Sequence, residues 1–149
     1  MTKDVLVAVK GTQMFVQNEE DAEPIETIMA GDYYNKNGKH YIIYEEVMEG
    51  FEGSTRNIVK LNKDSVDITK KGITNVHMVF EKNKNNVTCY QTPYGNIMVG
   101  INAKSIDIKE EDERILVDLD YALEFNCEHL ADCNIHMDIK SKENVELIL

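Results

Sequence analysis

A chain of 149 residues is long enough for one domain that buries roughly two thirds of the surface its unfolded form exposes, so folding requires neither metal nor disulfide. With 42% hydrophobic residues, 29% charged residues and only two prolines, the composition is globular rather than disordered. The formal charge of −11 comes from 27 acidic against 16 basic residues, the latter scattered along the chain, and it argues against nucleic acid or anionic membrane as partners.

Met1 to Lys10 alternates polar and apolar residues and lacks the apolar run of a secretory signal. Nothing further along reaches the apolar length of a membrane span, so cytoplasmic residence is the expectation. The dominant signal is period two, which separates a core face from a water face along a strand. Val5, Val7 and Val9 share one face of a first strand, and Ile25, Thr27 and Met29 share one face of a second, with Ile28 and Ala30 opposite. Asn37-Gly38 suits a two-residue hairpin turn and leads into Tyr41-Ile42-Ile43-Tyr44. Gly50 to Gly53 then reverses the chain into Ile58 to Leu61, and Asn62 to Asp64 turns it again into Val66 to Ile68.

Val76, Met78 and Phe80 share a face of the next strand, and Lys82 to Asn86 supplies a polar turn before Val87, Cys89 and Gln91. Thr88, Tyr90 and Thr92 lie opposite, so one of these two sets must line the interior. Thr92-Pro93-Tyr94-Gly95 is a sharp corner. A long strand follows from Ile97 through Ile108, with a shift of parity that predicts a bulge near Lys104. Beyond the charged turn Glu110 to Glu113, six apolar residues alternate from Ile115 to Phe125, and Cys133, Ile135, Met137 and Ile139 answer them on the last strand.

About ten short strands with hairpin connections and no amphipathic helix predict an all-β domain, a closed antiparallel up-and-down barrel of about eight to ten strands spanning residues 1–149. Closure removes the long free edges that an open sheet of this size would expose, although parity alone leaves a sandwich as the alternative.

Gly31 to Tyr34, Tyr41 to Glu46, Met78 to Glu81 and Thr92 to Gly95, with Val9 to Gln13 and Gly50 to Thr55, resemble the YwiB-like family of small bacterial proteins over nearly the whole chain. That family is similar to the calycins, the lipocalin-type barrels. The resemblance implies a fold and a bacterial cytoplasmic setting, and it carries over no catalytic residue. The chain departs from the family pattern between Asn126 and Asn134.

That departure holds part of the one set of potential metal ligands, Cys127, His129, Cys133 and His136. Alternation turns Cys133 and His136 to opposite faces, so the set reads as two buried cysteines and two surface histidines, with no metal and no cofactor. Three cysteines at irregular spacing do not make a disulfide framework. The acidic runs lack the glycine-centred loop of a calcium site, and no nucleophile elbow, phosphate loop or dinucleotide motif occurs.

Glu45 and Glu46 point to opposite faces and cannot form a catalytic dyad. A hairpin through Gly50 to Gly53 can bring Glu46 near Arg56, as an interior ion pair or as two solvated charges. Seven tyrosines and no tryptophan suit a cavity that orients a ligand, and strand preference explains them equally. The leading expectation is a non-enzymatic barrel that binds a small, partly apolar molecule inside or at its mouth through Tyr44, Glu46, Arg56, Tyr90, Thr92 and Tyr94. The alternatives are a filled barrel whose acidic surface meets a basic partner protein, and an enzyme of another type.

Overall fold

A computed structural model describes residues 1, 3–15, 25–47 and 50–142. Ten antiparallel strands are formed: β1 (Asp4–Phe15), β2 (Ile25–Lys36), β3 (Lys39–Glu46), β4 (Thr55–Leu61), β5 (Ser65–Gly72), β6 (Val76–Glu81), β7 (Asn85–Thr92), β8 (Gly95–Glu111), β9 (Arg114–Phe125) and β10 (Glu128–Ser141). They make one sheet in the order β6-β5-β4-β3-β2-β1-β10-β9-β8-β7. β2 to β5, β8 and β9 each lie between their chain neighbours, β6 and β7 end the sheet, and β1 pairs with β10 from Val5↔Ser141 to Phe15↔Ala131. The result is an up-and-down barrel that is closed except for a seam between β6 and β7. Among the described residues no helix is long and apolar enough to cross a membrane.

The seam is a partly unzipped hairpin. Asn75 and Gln91 exchange both backbone hydrogen bonds at 2.9 Å and are symmetric about the turn residue Asn83, as partners in a regular β6–β7 hairpin would be. Between that bridge and the turn the two strands share no ladder, and the Asn86 side chain donates instead to the Val79 carbonyl at 3.1 Å.

Local chemistry sets the rest. Asn37 and Gly38 adopt φ of 54° and 78°, the left-handed pair that a two-residue hairpin requires. The register of β8 against β9 shifts between Ala103 and Ser105, which places the predicted bulge at Lys104. The core is the inward face of every strand, and Val7, Ile42, Val59, Phe80, Leu119 and Ile139 are among its fully buried members. The first strand therefore faces inward through Val5 and Val7, as its alternation predicts.

Candidate functional site

The inner wall changes character along the barrel axis. On β3 the inward residues run Ile42, Tyr44, Glu46; on β4, Leu61, Val59, Asn57, Thr55; on β5, Val66, Ile68, Lys70. Three adjacent strands thus pass from apolar to polar toward the end formed by the β3–β4, β5–β6 and β7–β8 connections. Register aligns the change, because Tyr44, Asn57 and Lys70 are consecutive cross-strand partners and Glu46 faces Thr55 in the next row. This end is called the mouth.

At the mouth, Lys70 Nζ donates to Glu46 Oε1 at 3.1 Å and to Asn57 Oδ1 at 2.8 Å. Asn57 Nδ2 in turn donates to the Thr55 carbonyl at 3.3 Å. The side chains of Lys70 and Glu46 are only 17% and 37% exposed, so their attraction is stronger than that of a surface pair. Burial, and then the nearby Glu46 carboxylate, push the Tyr44 and Tyr90 phenols above their ordinary value, so both remain hydroxyl donors. Tyr44 is 5% exposed. Neither hydroxyl has a hydrogen-bond partner among the described residues, where no buried polar side-chain atom is left unpaired, so both open onto accessible space.

The sequence-predicted residues separate here. Tyr44, Glu46 and Tyr90 converge, and the interior set on β7 is the one containing Thr88 and Tyr90, since Val87 is exposed. Arg56 is a correction to its expected place at the mouth, and of its two readings with Glu46 the interior ion pair is not formed. It stands opposite Glu45 in the β3–β4 register and is exposed on the outer wall, beside an open depression of about 290 Å³ also lined by Asp4, Asp32 and Lys142. The cation that reaches Glu46 is Lys70, which sequence reasoning passed over.

Thr92 serves the β7–β8 turn, where its hydroxyl donates to the Gly95 carbonyl at 2.9 Å and accepts from Tyr94 N at 3.1 Å. Tyr94 is 86% exposed on the rim, with its ring edge-on to Phe51 at 5.9 Å, a contact between two mouth connections. Val47 and Ile97 add exposed apolar surface to the same rim.

The cysteines and histidines of the last hairpin are also dispersed. His129 Nε2 lies 3.4 Å from Asp132, and His136 Nδ1 lies 3.5 Å from Asp118. Cys133 is buried, but Cys127 is exposed in the β9–β10 turn, which corrects the reading of both as core residues. No group of three or more His, Cys, Asp or Glu among the described residues is placed to hold a metal ion.

Burial pushes the Cys133 thiol up to about 11 despite its hydrogen bond with Tyr121. Its unfolded counterpart ionises near 9.0, so the unfolded chain sheds this proton first and stability is lost as pH rises from about 9 through about 11. Iodoacetamide at about pH 8 should therefore alkylate Cys127 in the native protein and Cys133 only on unfolding, as peptide mass mapping would show. Rapid native labelling of Cys133 would contradict this placement.

Residues 7–137 match the DUF1934 family, described as a domain of unknown function. The chain belongs to this family. It is 28% identical over 122 residues to the uncharacterized beta-barrel protein YwiB of Bacillus subtilis (strain 168), a match that covers 80% of this chain and 84% of that protein. The crystal structure of ywiB protein from Bacillus subtilis is similar at a TM-score of 0.80 and 20% identity, over 93% of this chain and 92% of that one. That likeness in structure shows the fold alone.

Proposed function

We propose that the mouth of the barrel binds one small, partly apolar molecule without transforming it. The observation that carries this reading is the open pair of hydroxyls, Tyr44 and Tyr90, beside the Glu46–Lys70–Asn57 network and beneath a rim of Val47, Tyr94 and Ile97. Polar groups that fix an orientation, framed by apolar surface that supplies affinity, are what small-molecule sites combine. The uncharged phenols can hold a ligand oxygen, and Glu46 and Lys70 balance each other's charge, so a neutral polar group suits the interior.

Native mass spectrometry of protein purified from its own host should show a retained ligand of stoichiometry one. Titration with prodan, a neutral fluorescent probe whose ketone oxygen can accept a phenol hydrogen bond, should saturate. Tyr90→Phe should weaken that binding by about two- to tenfold, the worth of one hydrogen bond, and Ile97→Asp should weaken it further. Non-saturable probe binding, together with a ligand-free spectrum, defeats the proposal.

A further inference from the structure

The end opposite the mouth carries a different chemistry. Lysines scattered in sequence come together there, because Lys36 and Lys39 flank the β2–β3 turn and Lys63 lies in the β4–β5 turn beside it. Between these turns and β8 lies a pocket of about 460 Å³ with Leu61 and Ile108 among its apolar walls and His40, Lys63 and Glu110 among its polar ones.

His40 is held from below. Its side chain is 13% exposed, and its Nδ1 lies 2.6 Å from the hydroxyl of buried Tyr33. Asn35 Nδ2 approaches the same oxygen as a donor at 3.5 Å, so the phenol donates to Nδ1 and the proton of the neutral imidazole belongs on Nε2. Nε2 then donates to Glu110 Oε1. Glu110 belongs to β8, which is not a sheet neighbour of β3, and its side chain is 61% exposed. The ladder does not impose this contact: an exposed carboxylate reaches across the end of the barrel to the His40 Nε2–H.

We propose that His40 and Lys63 form a site for a small oxyanion, a phosphate or carboxylate group, and that the Glu110 carboxylate is its internal stand-in. An external oxyanion takes the place of Glu110 at Nε2 and gains the Lys63 ammonium as a second partner, while Leu61 and Ile108 accommodate an apolar body. The groups facing His40 are Tyr33 from β2, Glu110 from β8 and Lys63 from the β4–β5 turn. This site is independent of the mouth.

The test is isothermal titration of inorganic phosphate at constant ionic strength and neutral pH. Glu110→Gln should bind phosphate at least fivefold more tightly than the wild type. Lys63→Met and His40→Gln should abolish saturable binding while each retains cooperative thermal unfolding. Phosphatidylglycerol vesicles that sediment the wild type but not Lys63→Met, with no response to free phosphate, would assign the same oxyanion to a lipid headgroup. Phosphate binding that survives His40→Gln overturns the proposal. So does a Glu110→Gln variant that melts lower with no gain for phosphate or vesicles, since the contact is then only a strap across the barrel end.

Discussion

Replacing Phe80 with alanine is expected to lower the unfolding free energy by about 3–5 kcal/mol, against the roughly 5–15 kcal/mol that holds a domain together. Phe80 is fully buried on β6, and its ring meets Tyr121 of β9 edge-on at 4.9 Å. Its position magnifies the loss. β6 has a ladder only with β5, because the seam leaves its other edge joined to β7 by the single Asn75–Gln91 bridge. Packing across the interior therefore does for β6 what hydrogen bonds on both edges do for β1 to β5 and β8 to β10, and Phe80 is its largest buried side chain. Urea unfolding at neutral pH measures the effect, and Phe80→Leu should recover more than half of it. A loss below about 1 kcal/mol, the scale of a surface change, would mean that the barrel wall stands without its filling.

The alternation of side chains explains why so much of the architecture can be read in advance. Ile115, Val117, Leu119 and Tyr121 share a face in any strand, and Asn37-Gly38 admits few alternatives to a tight hairpin. The bulge at Lys104 is legible for the same reason, since it is where two apolar half-strands fall out of phase. Period two has no power over β7. Tyr90 and Val87 are both at home in a core, and near the mouth the interior is polar, so the face with Thr88 and Tyr90 turns inward.

Pairing across strands is one step harder to read than facing. Glu46 and Arg56 look like partners because a short loop separates them, yet the register sets Arg56 against Glu45. Lys70 is within reach of sequence reasoning, since a hairpin that pairs Leu61 with Val66 brings Asn57 opposite Lys70 four residues on. The seam is not, because nothing in Lys82 to Asn86 distinguishes a zipped hairpin from one that Asn86 props apart. The basic corner is hidden for a related reason. Its lysines sit on turns far apart in the chain, and only an up-and-down order stacks alternate turns at one end.

The second large effect is expected at Gly72, where β5 ends against β4. Its φ of +143° lies where side chains are rarely tolerated, and a Cβ added there would stand 2.3 Å from the Ser54 carbonyl oxygen and 2.9 Å from Thr55 Cα. Both obstacles are backbone and cannot rotate away. The glycine is also held in place, since Asn75 Nδ2 donates to its carbonyl at 2.8 Å and Asn75 Oδ1 accepts from its N–H at 3.2 Å. Gly72→Ala should therefore drive β5 from β4 and cost about 3 kcal/mol, the sum of backbone strain and overpacking. The gap would open two residues from Lys70, so probe binding at the mouth should fall along with stability. Gly53 separates the two contributions, because it too has a positive φ, of +93°, while a Cβ there meets nothing within 4 Å. Gly53→Ala should cost only about 1 kcal/mol and leave the mouth intact. Equal losses at the two positions would show that backbone conformation, and not the approach of β4, governs this corner.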